Sequence, residues 1–368
     1  MNQTVIGGKN AIKELPEILE KLSAKKLLLV CDSSFDFLNI KEDILNLSIP
    51  MVTFSDFTPN PLYEDVKKGV ELFRKENCDV ILAVGGGSSI DVAKCIKLFS
   101  KMDESDIYLN QEFTDTGVPL IAVPTTAGTG SESTRYAVIY YKTQKQSVTH
   151  LSIIPDVALL HFEVLKTLPL YQKKCTLLDA LCQGIESWWS VNSTDDSKKI
   201  SEKAVKAIIK YAKPYLEGDE TATEQIMLAS NLAGQAINIT QTTAAHAMSY
   251  KLTSLYKIPH GHAAAVCLPQ VWQYMIENTE LCIDPRGKVY LESVFADIAS
   301  ALGFDSAEEA SEGLKAFLKE LSIDLPTAKN RTEELCILAK SVNPVRLGNN
   351  PVKLTEEVLY SLYERIVN

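Results

Sequence analysis

Hydrophobic positions change their rhythm near the middle of the chain, and the change predicts two kinds of domain. In the first half, short uninterrupted apolar runs alternate with amphipathic segments. Ala24 to Val30 ends in Leu27-Leu28-Leu29-Val30 before the turn-like Asp32-Ser33-Ser34. Pro50 to Phe54 gives a second run, Asp79 to Val84 a third and Pro119 to Val123 a fourth. Runs of this length without polar alternation suit strands buried on both faces of a parallel sheet. Between them, Tyr63 to Lys75 carries Val66, Val70, Leu72 and Phe73 amid charges, and Ser88 to Phe99 carries Val92, Ile96 and Phe99 on one stripe. Both read as helices, the second capped by Ser88 or Ser89. The alternation predicts an α/β unit: a parallel sheet flanked by helices.

After about residue 163, β-branched runs and glycines thin out. Cys175 to Val191, Lys199 to Leu216, Ala222 to Ile237 and Leu291 to Ala301 read as helices, and Asp324 to Thr332, with Pro326, as a loop. The expected organisation is an α/β domain over residues 1–162 and an all-α domain over 163–368, joined softly between Leu160 and Leu168.

Composition narrows the function classes. A chain of 368 residues suits two domains, and 46% hydrophobic with 23% charged residues is ordinary globular usage. A net charge of −10 argues against nucleic acid as a partner, because that affinity rests on clustered Lys and Arg. Neither a signal peptide nor an apolar stretch of about 18 residues is visible, so no membrane association is expected. Eight cysteines without a C-x-x-C pair read as reduced, mostly structural thiols in a cytoplasmic protein.

Two loops carry candidate nucleotide chemistry. Gly85-Gly86-Gly87-Ser88-Ser89 joins the third strand to its helix, so backbone N–H groups and the positive helix end can meet a pyrophosphate. A tight turn without a ligand is the alternative, since the segment is neither G-x-G-x-x-G nor a P-loop. Pro124-Thr125-Thr126-Ala127-Gly128-Thr129-Gly130-Ser131-Glu132 follows the next strand, and its hydroxyls suit ribose and phosphate. Asp32, just past the first strand, can accept from a ribose 2′-hydroxyl and would repel a 2′-phosphate, which favours NADH over NADPH. It reads equally as a turn or cap residue.

Candidate metal ligands lie downstream. Asp179 and Gln183 stand four apart on one helix face, and three of the five histidines, His246, His260 and His262, fall close together. A carboxylate, two imidazoles and an amide oxygen form an N/O set for Fe²⁺, Zn²⁺, Mn²⁺ or Co²⁺. The alternative makes His246 and His260 packed helix residues and Asp179 a helix cap.

In order along the chain stand Pro59-Asn60-Pro61, Gly85-Gly86-Gly87-Ser88-Ser89-Ile90-Asp91 with Ala93-Lys94, Thr125 to Glu132, Asp179-Ala180-Leu181, and His246 with Pro259-His260-Gly261. With these the chain resembles the iron-containing (group III) alcohol dehydrogenase family over almost its full length. The resemblance implies a Rossmann-like N-terminal domain, an all-helical C-terminal domain and an active-site cleft between them. It implies NAD(P)H bound by Gly86, Gly87, Ser88, Asp91, Thr125, Thr126, Thr129 and Ser131. It also implies a divalent ion, Fe²⁺ first and Zn²⁺ second, held by Asp179, His246 and His260, and a homodimer. The family's remaining metal histidine falls at Gln183, a weaker neutral ligand. Tyr250 stands where the family commonly has another histidine, and Tyr250 and His262 become the candidate proton relays.

Cys182-Gln183, the segment Ser249 to Tyr256, His260-Gly261-His262 and the tail Asn343 to Leu347 with Asn349-Asn350-Pro351 are similar to the phosphonoacetaldehyde reductase branch. A phosphonate needs cations: Arg135, Lys251, Lys257 and Arg346 are the candidates, with Arg135 and Arg346 preferred over their reading as solvated surface charges. Tyr136 and Val138, beside Arg135, complete the substrate set. The expected reaction interconverts a small aldehyde and its primary alcohol, phosphonoacetaldehyde and 2-hydroxyethylphosphonate in that branch. A general alcohol dehydrogenase, a dehydroquinate-synthase-like lyase and an inactive nucleotide-binding regulator are the alternatives.

Overall fold

A computed structural model describes residues 3–142 and 144–368, which fold as two compact units, Met1–Leu168 and Pro169–Asn368. Among the described residues the first contains eight strands: β1 (Thr4–Gly7), β2 (Leu27–Cys31), β3 (Met51–Phe54), β4 (Val80–Gly85), β5 (Leu120–Pro124), β6 (Tyr136–Tyr141), β7 (Gln144–Thr149) and β8 (Val157–Leu160). Six form one parallel sheet in the order β1-β8-β5-β4-β2-β3, and β6 and β7 pair as an antiparallel hairpin. Four α-helices accompany them: α1 (Leu15–Lys21), α2 (Lys41–Leu45), α3 (Tyr63–Lys75) and α4 (Gly87–Phe99). Every residue of β2, β4 and β5 is buried, as continuous apolar runs between two helix layers require.

The sheet order sets the position of the candidate loops. From β2 the chain moves outward to β3, and from β4 it moves the other way to β5, so the order reverses between the adjacent strands β2 and β4. Ligands of open α/β sheets bind at the carboxyl ends of strands flanking such a reversal. Asp32 follows β2 there, and Gly85-Gly86-Gly87 ends β4.

Helix α3 occupies the expected residues, whereas α4 begins one residue earlier than expected, with Gly86 at its N-cap. Neither Ser88 nor Ser89 caps it, because Ser89 donates its hydroxyl to Asp32 instead (3.0 Å). Strands β1 and β8 and the hairpin were not expected. β1 is an edge strand with largely exposed side chains, and β7 reads Gln-Lys-Gln-Ser-Val-Thr with Val148 alone buried.

The second unit is helical: α5 (Leu170–Trp189), α6 (Asp195–Glu217), α7 (Glu220–Thr240), α8 (Ala244–Tyr256), α9 (His260–Glu277), α10 (Lys288–Leu302), α11 (Ala307–Glu320), α12 (Arg331–Ser341), α13 (Pro344–Leu347) and α14 (Glu356–Ile366). Helix α5 packs against α6, α7 and α9. From Leu177 to Trp189 all its residues are buried, polar ones included. Buried polar side chains need partners, so this helix must carry an internal polar site. Asp179 lies mid-helix and caps nothing.

Candidate functional site

Asp179 and Gln183 project from α5, His246 is the third residue of α8, and His260 is the first of α9. One ligand atom each from Asp179, His246 and His260 lies within 4.8 Å of the others. A tetrahedral ion with bonds of about 2.1 Å needs its donors about 3.4 Å apart. The His246 Nε2 to Asp179 Oδ1 separation, 3.2 Å, already meets that spacing.

Neighbouring groups fix how both imidazoles face. His246 Nδ1 donates to Glu186 Oε2, since a carboxylate can only accept. The Ser249 hydroxyl donates to the His246 carbonyl (2.8 Å), so toward His260 it is the acceptor and His260 Nδ1 donates to it (3.2 Å). With Nδ1 engaged in each ring, Nε2 is the nitrogen suited to an ion, the arrangement usual for metal-ligating histidines. Burial alone would lower the His246 pKa, but Glu186 and Asp179 outweigh it and push it up to about 9. Burial likewise raises the Glu186 carboxyl, but the His246 charge and the hydrogen bonds it accepts hold it below the usual range. The donor set of one carboxylate, two Nε2 atoms and the buried Gln183 amide fits a divalent ion of the Fe²⁺ or Zn²⁺ type.

The approach of α9 to α5 depends on Gly261. A Cβ there would lie 1.9 Å from the Cys175 carbonyl oxygen and 2.8 Å from Asp179 Cβ, so only glycine lets His260 come this close to Asp179. Around the cluster, the Tyr250 ring stacks on His260 at 5.4 Å and 2°. Burial raises the Tyr250 pKa, with the Arg346 charge opposing it, so the phenol stays protonated at neutral pH. Arg346, on α13, forms no ion pair among the described residues. His262 has both nitrogens engaged: Nε2 donates to the Asp324 carbonyl (2.7 Å) and Nδ1 accepts from the Tyr171 hydroxyl (2.8 Å). Burial lowers its pKa, which suits this neutral form. Lys257 is exposed at the end of α8, and Lys251 is half-buried within it.

In the first unit, Gly86, Gly87 and Ser88 are accessible between buried Gly85 and Ser89, and Thr126 and Thr129 are the accessible hydroxyls of the second loop. Thr125 N donates to the Gly85 carbonyl (3.0 Å), which ties the two loops together. A Cβ on Gly87 would sit 3.0 Å from the Thr129 methyl. Asp32 accepts from Ser34 N (2.8 Å) and from Ser89. Asp91 and Ser131 bond each other (2.6 Å) beneath the loops, and Asp91 also accepts from Val138 N (2.9 Å). Fully buried Lys94, marked in the sequence only as part of a motif, directs its three ammonium hydrogens at Ser131 Oγ, Thr134 Oγ1 and the Tyr136 carbonyl. Arg135 directly precedes β6, on which Tyr136 and Val138 share the more accessible face, alternating with buried Ala137 and Ile139. Glu186 and Ser249 also belong to the site of Asp179, His246 and His260; the i, i+4, i+7 spacing of Asp179, Gln183 and Glu186 is the signal the sequence holds for the first.

Residues 2–162 match the family described as iron-containing alcohol dehydrogenase, and residues 174–367 the C-terminal domain of the same family. The NAD-dependent methanol dehydrogenase of Bacillus methanolicus is 30% identical over 355 residues, 91% of this chain and 90% of that protein. The 1,3-propanediol dehydrogenase of Citrobacter freundii is 32% identical, over 86% of this chain and 83% of its own. Among solved structures, sulfoacetaldehyde reductase from Bifidobacterium kashiwanohense in complex with NAD⁺ superposes with a TM-score of 0.87 at 25% identity, covering 99% of this chain and 96% of that one. Among the described residues, no helix is long and apolar enough to cross a membrane.

Proposed function

Because the chain belongs to the iron-containing alcohol dehydrogenase family, we propose that it reduces a small aldehyde carrying an anionic group, phosphonoacetaldehyde first among them, to the primary alcohol. The observation that carries this reading is Arg346, a half-buried guanidinium without an ion-pair partner among the described residues, close enough to Tyr250 for its charge to act on the phenol. An unpaired cation at such a position costs stability unless an anion meets it, and a guanidinium holds a phosphonate in two-pronged fashion. The similarity to a sulfoacetaldehyde reductase, whose named substrate is a two-carbon aldehyde with an anionic end, supports the same class.

Bound at their sites, a divalent ion supplies Lewis-acid polarisation of the carbonyl and a nicotinamide supplies hydride. Asp179, Gln183, His246 and His260 hold the ion. Gly86, Gly87 and Ser88 present N–H groups to the pyrophosphate, Thr126 and Thr129 reach the cofactor as hydroxyls, and Asp91 and Ser131, bonded to each other, support that loop. Asp32 at the carboxyl end of β2 favours NADH over NADPH. Tyr250, kept protonated by burial, gives its proton to the nascent alcohol, while His262 secures the first turn of α9 through Tyr171 and Asp324. Arg346 holds the anionic end of the substrate.

The test is Arg346→Ala. A lost charge-assisted contact of about 1.5–3 kcal/mol predicts a KM for phosphonoacetaldehyde raised roughly 10- to 100-fold, with butyraldehyde changed less than about 2-fold. Equal effects on both aldehydes would remove the anion-binding role.

A further inference from the structure

We propose that Glu186 is a positioning residue that sets the ligand form of His246. The proposal rests on the metal reading above and concerns a residue that reading leaves without a role.

Glu186 is fully buried on α5, one helical turn beyond Gln183. Its two oxygens have separate tasks. Oε1 accepts from Thr243 N (3.1 Å), the Thr243 hydroxyl (2.8 Å) and His246 N (3.2 Å), the unsatisfied donors at the start of α8. Trp189 Nε1 donates to the Thr243 hydroxyl (2.9 Å), which turns the hydroxyl proton toward Glu186. Oε2 accepts the Nδ1 proton of His246. One carboxylate therefore fixes both where α8 begins and which nitrogen of its third residue faces Asp179. At His260 it is the hydroxyl of Ser249 that meets Nδ1.

This division makes the amide variant informative. In Glu186→Gln, three donors still converge where Oε1 stood, so the amide oxygen must occupy that place. The NH₂ then lies against His246 Nδ1 and donates to it. His246 is pushed to the tautomer with its proton on Nε2, the atom needed for the ion. The helix start is preserved while the ligand is turned off, the same logic by which an amide in place of a buried carboxylate missets a catalytic histidine.

The experiment uses the full-length protein: Zn²⁺ affinity by competition with a chelator, the melting temperature of the metal-free form, and ¹⁵N-histidine spectra, tractable because the chain has five histidines. Expected for Glu186→Gln is a 10- to 100-fold weaker Zn²⁺ affinity in a protein that still melts cooperatively. Its ¹⁵N spectrum should show one ligand histidine moved to the Nε2-protonated form, which a merely structural role would not produce. Wild-type affinity in the variant overturns the proposal and leaves the metal reading intact. Wild-type protein that binds no Zn²⁺ overturns both. If the variant does not fold, Zn²⁺-loaded wild type decides: two histidines bound through Nε2 with protonated Nδ1 support the proposal, and His246 bound through Nδ1 overturns it.

Discussion

Alanine at Gly261 would separate the two helices that bring the metal ligands together, by an amount the structure fixes. The new Cβ would stand 1.9 Å from the Cys175 carbonyl oxygen, where real Cβ contacts do not fall below 3.0 Å. That oxygen belongs to the backbone of α5 and cannot rotate away, so the first turn of α9 must retreat by at least about 1 Å. His260 precedes Gly261 and moves with it, whereas metal–ligand distances tolerate only about 0.2 Å. The ligand is lost or strained, and Zn²⁺ affinity should fall roughly 100-fold. Overpacking should also lower stability by about 1–3 kcal/mol. Chelator competition measures the first effect, and thermal melting of metal-free protein the second. If Gly261→Ala binds Zn²⁺ as tightly as the wild type, the close crossing does not align the site and the reasoning fails.

Gln183→His places an imidazole one turn from Asp179 and should tighten metal binding by about tenfold or more; unchanged affinity and turnover would take Gln183 out of the ligand set. Asp32→Ala removes the acceptor for Ser34 N and the Ser89 hydroxyl, at a cost of about 1 kcal/mol, and should raise kcat/KM for NADPH relative to NADH. An unaltered ratio would leave Asp32 as a cap alone. Burial, opposed by Asp91, pushes the Lys94 pKa down to about 8 from its ordinary 10.5. Between those values the unfolded chain binds more protons than the native state, so Lys94 makes stability rise with pH across that window. Below pH 8 the full cost of the buried charge, on the order of 3 kcal/mol, is present. Urea titrations from pH 8 to 10 should show a shallower rise for Lys94→Met than for wild type; parallel slopes would contradict this.

What the sequence displayed depended on how local the cause was. β2, β4 and β5 are apolar because they are buried on both faces, and α3 shows its stripe over the residues it occupies. β1 and β7 carry mostly polar or exposed side chains and are strands because a neighbour pairs with them, which no run of residues records. The site divides in the same way. Asp179 and Gln183 share a helix face by spacing, so that shared face was visible. For the donors to Glu186 there was no such signal, since they come from residues 57 and 60 positions away. The bond between Asp91 and Ser131 spans 40 residues, and spacing along the chain does not record it. Gly261 was visible only as part of a motif; the carbonyl that demands a glycine there belongs to a helix far back in the chain.

The proposed metal-dependent reduction of an anionic aldehyde by NADH is checked by following NADH oxidation with metal-free protein and with protein loaded with Fe²⁺, Zn²⁺ or Mn²⁺, against phosphonoacetaldehyde, succinate semialdehyde and butyraldehyde. Expected is turnover only after loading, fastest with Fe²⁺ and with phosphonoacetaldehyde preferred. Equal turnover by the metal-free protein, or butyraldehyde reduced best, would contradict it.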